Sequence, residues 1–554
     1  MARQHARPSA TAIWSVAARH GQLVLAPILL FLLLACVRLD LPGLHYDEAL
    51  EGSLPAAQLL AGQPITALNG VALHIGGVAF PLMVQNHIGA TQIYAALPFI
   101  WLLGPTAVAL RSMTVLVGAL TIIASYAFVV QLWGRTAAFY TALWLASFGS
   151  FIFWSRQGVF VTTLAPFFAI CAMALGVAWY RNPRPWLLGV VGLCVGLAAY
   201  SKVSALWLLN GAVLWAIIAL NRRLPALAVE WISKRWRELI VLVLGLLLGT
   251  WPFILYNIRS GWASVRVVQE SADRTYLGIS NADVLGNLRI RIEQLADVLR
   301  SGEHLWYLGG TFPSTFALAS VIVALLVLLL DSALTRGRDW RITLFVPFLL
   351  LAALLQSCFT ISSLWYTHFA IVVMLPAIIF GSAVQRLQRW VQHTPSFLSQ
   401  AAYTAMLLLA ALTFLSQLRS SINYLNTTIA TGGRSFHSAA IYDVARFLRD
   451  QPEPIVALDW GISTSVEYLN GARKPIKEIY GYDQAPPPNF AELLQPAFDE
   501  GALFVTHAEN QEAFQRRAAF LEIVAQAGMW AEPINVSIDS NGWPMYEVWR
   551  VHRP

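Results

Sequence analysis

Long apolar runs recur along the chain from Gln22 to about Leu418, and they have the length needed to cross a bilayer as helices. Hydrophobic residues make up 57% of the 554 residues and charged residues only 12%, with a mean hydropathy of +0.58. A soluble globular protein carries about twice that charged fraction. A soluble core would have to enclose too many such runs, so the pattern predicts an all-α polytopic membrane protein.

Eleven spans are predicted from these runs. The basic stretch Arg3–Arg19 is followed by the apolar segment Leu23–Val37, an order shared with signal peptides. This segment is long and no clear small-x-small cleavage site follows it, so we interpret it as an uncleaved first span. Two short spans also fit a re-entrant pair, namely 186–200 and 203–220. The predicted spans are 22–38, 107–130, 137–154, 158–180, 186–200, 203–220, 238–257, 313–331, 342–360, 364–383 and 400–418.

Basic residues concentrate in every second short loop, which predicts the orientation of the spans. Lys and Arg remain on the cytosolic side because moving them across the bilayer is unfavourable. With residues 1–21 in the cytosol, the short outer loops hold little that is basic besides Arg156 and Lys202. The basic residues of the inner loops include Arg135, Arg181, Arg184, Arg222 and Arg223. We therefore predict a multi-pass protein of the plasma (inner) membrane with a cytosolic N-terminus.

Charge and cysteine content narrow the range of partners. The net charge of +7 is explained by the inner loops, and no basic stripe with interleaved aromatic residues occurs, so nucleic acid is excluded as a partner. The cysteines lie in or at the edge of apolar spans, without metal-ligand spacing, and no disulfide is predicted. They are Cys36, Cys171, Cys194 and Cys358.

Three long segments fall on the outer side of this topology. Two are loops of the transmembrane module 22–418, at residues 39–106 and 258–312, and the third is the tail 419–554. The tail alternates strand-like with helix-like segments, which predicts a soluble extracytoplasmic α/β domain. The strand-like segments are Ile455–Leu458, Leu503–Thr506, Ile534–Ile538 and Met545–Val551. The helix-like segments are Ala439–Leu448, Ala491–Leu494 and Gln511–Gly528.

An acidic pair, Asp47 and Glu48, stands just past the first span in the run Leu44–Ala49. One interpretation is structural, because acids are favoured in the first turn of a helix by the helix dipole. The other is chemical, because a carboxylate at a dry, partly buried face acquires the basicity to take a proton from an acceptor hydroxyl or amine. Carboxylates are costly to desolvate at a membrane and are not needed for insertion, which suggests chemistry.

Three basic residues are candidates for binding phosphate. Arg156 and Lys202 are exceptions to the inner concentration of positive charge, and Arg111 opens the second span. A guanidinium binds phosphate oxygens in a bidentate manner, and an ammonium acts as a point charge. The structural alternatives are snorkelling of Arg156 and Lys202 to lipid headgroups, and pairing of Arg111 with an acid of the first outer loop.

Histidines supply further candidates. His368 is predicted at the outer end of the tenth span, where a lone histidine is most often a packing residue. His45, His74 and His87 share the first outer loop at irregular spacings that match no metal-ligand motif. No cofactor is predicted, no metal site is indicated, and metal dependence stays open.

The two acids and the exceptional bases come from distant parts of the chain, yet all fall on one predicted membrane face. Acids beside phosphate-binding bases fit the transfer of a group from a lipid-phosphate donor. The leaving phosphate needs cations, and an oxocarbenium-like centre needs nearby negative charge.

At these residues the chain resembles the GT-C membrane glycosyltransferases, in particular the family-39-like branch of protein O-mannosyltransferases and lipid A aminoarabinose transferases. The resemblance covers about residues 20–385. Thr367-His368 stands where many relatives have a basic pair, and Gly89-Ala90-Thr91 replaces the usual Pro-Pro pair. The motifs that carry the resemblance are Tyr46–Ala49, Ala109–Ser112, Trp154–Gly158, Tyr200–Ala205, Trp251–Ile258 and Tyr366–Pro376.

The resemblance implies a GT-C fold, a polyprenyl-phosphate-linked sugar as donor, and Asp47 as the catalytic carboxylate with Glu48 in support. The donor phosphate is expected at Arg156, Lys202 and Arg111. The substrate pocket is expected to include Tyr46, Tyr366 and His368. The acceptor is a protein, a lipid or a glycan. Two other functions stay open from the sequence, namely a transporter or flippase of lipid-linked glycans and a non-catalytic glycan-binding scaffold.

Overall fold

The structure is a computed structural model and describes residues 10–157, 164–272, 275–276, 279–334, 339–359 and 364–553. Gly158, which belongs to one of the sequence motifs, lies outside the described residues. Up to residue 431 the described chain is mainly helical. Its helices are α1 (Ala10–Ala35), α2 (Tyr46–Glu48), α3 (Leu54–Ala61), α4 (Thr91–Leu103), α5 (Ala107–Leu132), α6 (Arg135–Ser147), α7 (Gly149–Gln157), α8 (Leu164–Arg181), α9 (Pro185–Ser201), α10 (Leu206–Leu220), α11 (Leu224–Lys234), α12 (Trp236–Arg259), α13 (Ala263–Ala272), α14 (Val284–Arg300), α15 (Ala317–Leu334), α16 (Trp340–Thr343), α17 (Phe345–Ser357), α18 (Met374–His393) and α19 (Phe397–Thr431).

Six helices of the described chain are long and apolar enough to cross a membrane. Two further pairs of helices pass the same test when each pair is taken as one bent span, which raises the number to as many as eight. One pair is α6 with α7, bent by 62°, and the other is the turn Tyr366–Val372 with α18, bent by 45°. The six are Ala107–Leu132, Leu164–Arg181, Val203–Leu220, Trp236–Arg259, Ala317–Leu334 and Phe397–Thr431. The apolar helical character predicted from the sequence is therefore present in the structure.

The predicted count of eleven spans is not confirmed. Each predicted span overlaps a helix, but several of these helices are short. At 1.5 Å per residue, α9 and α17 are only about 25 Å and 20 Å long, against about 30 Å for the hydrocarbon core. The predicted re-entrant pair is seen as two separate helices, α9 and α10, joined at Lys202–Ala205.

Glycines let α9 and α12 pack backbone against backbone. A Cβ atom added at Gly245 would lie 2.0 Å from the carbonyl oxygen of Gly189, and one at Gly192 would lie 2.1 Å from that of Leu242. Small residues four apart on an apolar helix permit this close approach in a membrane protein, where burial against lipid gives little driving force. The contact fixes the position of α9, at whose end Lys202 lies.

The chain from residue 440 folds around a five-stranded sheet. Its helices are α20 (Ala440–Arg449), α21 (Ser463–Leu469), α22 (Phe490–Asp499) and α23 (Arg517–Gln526). The strands that precede this part of the chain form three small hairpins, β1 (Ala72–Ile75) with β2 (Val78–Pro81), β3 (Met83–Gln85) with β4 (Ile88–Gly89), and β5 (Thr275–Tyr276) with β6 (Ile279–Ser280). The sheet consists of β7 (Ile455–Ala457), β8 (Ile476–Glu478), β9 (Leu503–His507), β10 (Trp530–Ile538) and β11 (Pro544–His552), in the order β10-β11-β9-β7-β8.

The two faces of this sheet are covered by helices. Strand β7 pairs in parallel with β8 and β9, whereas β11 pairs antiparallel with β9 and β10. Alternate side chains point to opposite faces, so β7 and β9 contribute to an apolar cluster with α20 and α21 on one face and to another with α22 and α23 on the other. The four predicted strand-like segments and three predicted helix-like segments lie in these elements, while β8 and α21 were missed.

The tail domain packs directly on the first loop, residues 39–106. The Tyr468 hydroxyl donates to the carbonyl oxygen of Thr106 at 2.8 Å, and the Tyr442 hydroxyl donates to that of Asp40 at 2.5 Å. The Gln58 amide donates to Glu467 at 3.1 Å. The tail is therefore in contact with the segment that carries the acidic pair.

We expect Gly245→Val to destabilise the protein, because its side chain would collide with the backbone of Gly189 and force α9 away from α12. Gly176→Ala in α8 is the matched control, since an added Cβ there meets nothing within 4 Å. The control should be neutral or stabilising by up to about 1 kcal/mol. Thermal unfolding in detergent measures both variants, and equal melting temperatures for the two would contradict this account of the helix contact.

Candidate active site

A buried ion pair fixes the acidic loop to α5. Arg111 donates from Nε to Glu48 Oε2 at 2.9 Å and from Nη2 to Glu48 Oε1 at 2.8 Å, and both side chains are fully buried. The same guanidinium donates to the carbonyl oxygens of Leu39, Pro42 and Gly43. Such a bidentate, fully hydrogen-bonded pair offsets the cost of desolvating two charges and holds the loop in one conformation.

A second buried arginine secures the start of the same loop. Arg156, at the end of α7, donates from Nη2 to the carbonyl oxygens of Val37, Arg38 and Leu41 at 2.8, 2.9 and 3.1 Å. Arg156 is 1% exposed, so its guanidinium satisfies backbone carbonyls that follow α1.

These contacts describe the surroundings of Arg111 and Arg156, for which donor-phosphate binding is predicted from the sequence. The guanidinium groups are enclosed and hydrogen-bonded to the protein itself, so a phosphate would have to displace Glu48 or backbone carbonyls. The structural alternative of pairing with an acid, weighed for Arg111, describes its contact with Glu48.

Tyr46, Asp47 and Glu48 direct their side chains to different partners. They form the short helix α2, in which successive side chains are rotated by about 100°. The Tyr46 hydroxyl donates to Glu478 of the tail domain at 3.3 Å, and Glu48 pairs with Arg111. The Asp47 side chain keeps 13% of its surface exposed, so it is the member of the acidic pair that a substrate can reach.

His45 caps this helix and positions the backbone of Asp47. Its Nδ1 accepts a hydrogen bond from the Asp47 N–H at 3.2 Å, which places the ring proton of the neutral imidazole on Nε2. The ring stacks on His437 at a centroid distance of 4.2 Å, and His437 stacks on Tyr307 at 4.2 Å. Three separate chain segments thus support the conformation at Asp47.

Lys202 is held at the break between α9 and α10. An antiparallel bridge joins it to Ile88, and the Val203 N–H donates to the carbonyl oxygen of His87 at 3.1 Å. Gly89 permits this approach, since a Cβ there would lie 2.3 Å from the carbonyl oxygen of Tyr200. The first loop therefore carries Asp47 and also fixes the backbone of Lys202.

Asp47 and Lys202 act on one another electrostatically. Burial raises the pKa of Asp47 to about 7; the charge of Lys202 opposes this rise and the charge of Glu48 adds to it. Burial lowers the pKa of Lys202, and the charges of Glu51 and Asp47 oppose that fall. The two predicted site residues are therefore near enough for each charge to influence the pKa of the other.

A cavity of about 530 Å³ lies beside Lys202. It is bounded by the β3–β4 hairpin, the α9–α10 junction, α12, α13, α17 and the turn Tyr366–Val372. Polar and aromatic side chains are combined in its wall, as in sites for amphipathic ligands. Lining residues include His87, Lys202, Trp207, Phe253, Gln356 and His368.

His368 lines this cavity and is oriented by a residue that the sequence analysis missed. Arg291 of α14 is fully buried, and its Nη2 lies 3.1 Å from Nδ1 of His368. A guanidinium only donates, so Nδ1 is the acceptor and the ring proton sits on Nε2. The sequence signal that could have identified Arg291 was its position in the helix-like stretch Val284–Leu299, which belongs to the second outer loop, residues 258–312.

Tyr366, which was predicted to line the substrate pocket, packs against His304. Its ring stacks on His304 at a centroid distance of 5.5 Å, and His304 Nδ1 lies 2.8 Å from Asp297. Within the described chain Tyr366 is not among the residues that line the cavity, whereas His368 is. Of the three residues predicted for the substrate pocket, Tyr46, Tyr366 and His368, it is His368 that lines this cavity in the described chain.

Glu51 is a further acid that the sequence analysis did not single out. It is fully buried in the π-helical turn Ala49–Ser53, directly after α2. Such turns are rare and often mark functional sites, because they re-aim side chains within a helix. The i, i+4 spacing of Asp47 and Glu51 was the signal available in the sequence.

The described residues contain no group of three His, Cys, Asp or Glu side chains arranged to hold a metal ion. The histidines of the first loop are separated instead. His45 caps α2, His87 lines the cavity, and His74 lies in β1. Burial, with the charge of Lys202, lowers the pKa of His87 to about 4, so this ring is neutral at physiological pH.

Replacing Arg111 by methionine should lower the free energy of unfolding by about 3–5 kcal/mol, because Glu48 would remain buried without its partner. Asp40→Asn is the control, since it breaks the exposed Arg38–Asp40 pair and should cost about 0–1 kcal/mol. Thermal or chemical unfolding in detergent compares the two. A stable Arg111→Met variant would contradict the anchoring role of the pair.

Comparison with known proteins identifies the fold. No protein-family model and no curated protein matches the sequence. The chain is similar to ArnT from Cupriavidus metallidurans bound to undecaprenyl phosphate, at 14% identity and a TM-score of 0.61, covering 98% of each chain. It is also similar to the Archaeoglobus fulgidus oligosaccharyltransferase AglB in complex with an inhibitory peptide and a dolichol-phosphate, at 14% identity and a TM-score of 0.52, covering 89% of this chain and 70% of that chain. The chain therefore has the fold of the GT-C membrane glycosyltransferases, as its motifs predicted.

Proposed function

We propose that this protein is an integral-membrane glycosyltransferase that moves a sugar from a polyprenyl-phosphate donor to an acceptor. The observation that carries the proposal is the electrostatic interaction of a partly exposed carboxyl group, Asp47, with Lys202, which itself lines a cavity of about 530 Å³. A base close to a cation beside a partly apolar cavity is what transfer from a lipid phosphate requires.

The fold supports a lipid-linked donor. The similar structures of ArnT and AglB were determined with undecaprenyl phosphate and a dolichol-phosphate, respectively. In this chain, Trp207, Phe253 and Phe359 give the cavity an apolar wall, and Lys202 gives it a positive charge. An apolar lipid chain with one anionic headgroup matches both features.

Asp47 acts in this proposal as the general base. An acceptor hydroxyl oxygen attacks the anomeric carbon, and its proton passes to the Asp47 carboxylate. The bond between the anomeric carbon and the phosphate oxygen breaks, and polyprenyl phosphate leaves with both bonding electrons. Direct displacement of this kind inverts the anomeric centre. Glu48 contributes by anchoring the loop through Arg111 rather than by contacting substrate.

Lys202 stabilises the negative charge that develops on the departing phosphate. This role replaces the three-residue phosphate site expected from the sequence, because Arg111 and Arg156 are occupied by the protein. His368 lines the same cavity and assists Lys202 at the departing phosphate. The contact with Arg291 sets its tautomer.

The long loops and the tail domain lie on the extracytoplasmic side in this proposal, and the N-terminus lies in the cytosol. Support comes from the distribution of basic residues among the short loops. A lipid-linked donor fits that side, because the sugar arrives already activated on its carrier.

Asp47→Asn should slow release of undecaprenyl phosphate by about 10²–10⁴-fold, because the general base is lost. The assay uses full-length protein in nanodiscs, a panel of undecaprenyl-phosphate-linked hexoses and pentoses, cell-extracted acceptor, and mass spectrometry of the released lipid. Asp40→Asn removes an exposed acid of the same loop and serves as the control. Wild-type turnover by the Asp47 variant would remove this residue from the mechanism.

Lys202→Met should weaken binding of undecaprenyl phosphate by about tenfold or more, as expected when a charge-assisted contact is lost. The Asp47→Asn variant should retain near wild-type affinity for the same lipid. Binding in nanodiscs, followed by native mass spectrometry, separates the two roles. Unchanged affinity of the Lys202 variant would exclude this residue as the phosphate ligand.

The rate should depend on the ionisation of Asp47. Because its pKa is raised to about 7, the carboxylate fraction falls tenfold for each pH unit below that value. We therefore expect kcat/KM to rise with pH up to about 7 and then level off. Initial rates over the range of about pH 5 to 9 test this, and a constant rate from pH 5 upwards would contradict a base with a raised pKa.

A further inference from the structure

An aromatic cluster between the first loop and the tail domain adjoins the helix that carries Asp47; its members Tyr46 and Tyr480 are buried, whereas Tyr482 and Glu478 are exposed. We define the acceptor patch as Tyr46, Trp460, Tyr480, Tyr482 and Glu478. The Tyr46 ring lies 5.1 Å from that of Trp460, and the Tyr480 ring lies 5.5 Å from that of Tyr482. The patch therefore joins the first loop to β8 and to the loops that follow β7 and β8.

Glu478 lies at the centre of this patch and links its two halves. Its carboxylate oxygens accept hydrogen bonds from the hydroxyls of Tyr46 and Tyr480, each at 3.3 Å, and also from the hydroxyl of Ser463. A carboxylate has about four acceptor positions, so these three bonds leave capacity for a ligand. Glu478 itself is exposed to solvent.

The hydroxyls of Tyr46 and Tyr480 remain protonated. Burial raises the pKa of Tyr46 and of Tyr480, and the charge of Glu478 acts in the same direction on both. Both groups thus stay hydrogen-bond donors over the physiological pH range and hold the carboxylate in place.

Tyr482 offers an open aromatic face at the edge of the patch. It is 71% exposed, while its ring is supported by Phe514 at a centroid distance of 5.9 Å and its hydroxyl lies 3.4 Å from that of Tyr480. Trp460 is half-buried against Tyr46 and His45. The patch combines large, rigid rings with an anionic hydrogen-bond acceptor.

This combination matches the chemistry of a sugar ring. A pyranose has apolar C–H faces that pack on an aromatic ring and hydroxyls at its edge that donate to a carboxylate. A lipid hydrocarbon surface does not match, because Glu478 would have to leave water without a cationic partner. Anionic headgroups are disfavoured by the same charge.

The patch is also close to the proposed chemistry. Tyr46 directly precedes Asp47, and consecutive Cα atoms are about 3.8 Å apart. The Tyr46 side chain contacts Glu478 of the tail domain, while Asp47 interacts electrostatically with Lys202. A ligand on the patch would thus lie beside the short helix that carries Asp47.

We propose that this patch binds a sugar residue of the acceptor, so that the acceptor is a glycan or the carbohydrate headgroup of a glycolipid rather than a polypeptide. This inference rests on the proposed glycosyltransferase function and specifies its acceptor. Trp460 and Tyr482 provide the stacking faces, and Glu478 accepts a hydroxyl of the bound ring.

Saturation-transfer NMR on the full-length protein in nanodiscs tests the proposal. The probes are the methyl glycosides of glucose, galactose, mannose, N-acetylglucosamine and arabinose. At least one should bind the wild-type protein and the Asp47→Asn variant alike. Tyr482→Ala should raise the dissociation constant of that glycoside about three- to tenfold, while Tyr482→Phe, which keeps the ring, should restore most of the binding.

Trp543→Ala is the matched control, because Trp543 is 66% exposed in the turn between β10 and β11 of the same domain. The Trp543→Ala variant should bind the glycoside as tightly as the wild type does. The Trp460→Ala variant should bind it more weakly. If no glycoside binds the wild type, or if Trp543→Ala weakens binding as much as Tyr482→Ala does, the proposal is overturned. Release of undecaprenyl phosphate by the wild type, measured in parallel, would then show that the proposed function stands without it.

Discussion

The buried pair between Glu48 and Arg111 is the constraint on which the rest of the site depends. Two charges without solvent exposure are stable together because the guanidinium is bidentate to the carboxylate and also satisfies three backbone carbonyls. The pair attaches the short helix α2 to α5. Because Glu48 is fixed on the inner side of that helix, Asp47 must face a different direction, towards Lys202.

The second half of the site depends on close helix packing. Lys202 follows α9, and α9 is positioned by the glycine contact with α12. The bridge between Ile88 and Lys202 then ties this end of α9 to the first loop. A carboxylate on a loop and an ammonium at a helix end are thus both tied to the first loop, which limits their relative movement. Preorganisation of this kind is what an electrostatic mechanism requires, since the charges need not reorient during the reaction.

The tail domain is part of the same arrangement. Its hydroxyl donors Tyr442 and Tyr468 bind carbonyl oxygens near the two ends of the segment 39–106, and Glu478 accepts from Tyr46 beside the proposed base. In the proposed mechanism these contacts would let the tail shape the acceptor side, whereas the helices would shape the donor side. The acceptor would then approach Asp47 along the tail domain, and the donor along the helices.

Much of the architecture was readable from the sequence, since apolar runs and alternating patterns are local signals. They located most of the helices and four of the five strands of the tail sheet. The topology predicted from the same runs placed Asp47 and Lys202 on one membrane face, and in the structure the charges of these two residues influence one another. Span length was less predictable, because bends such as the 62° break between α6 and α7 depend on neighbouring helices.

What the sequence by itself determined is a helical membrane protein, with candidate site residues predicted to share one membrane face. The tertiary structure alone decided which of those residues are available. Arg111 and Arg156 have the same side-chain chemistry as a phosphate ligand, yet burial commits them to Glu48 and to backbone carbonyls. Arg291 and Glu478 gain their roles through partners 77 and 432 positions away in the chain. Hydrophobic periodicity reports only on neighbours a few residues apart, so pairings over such separations are set by packing in three dimensions.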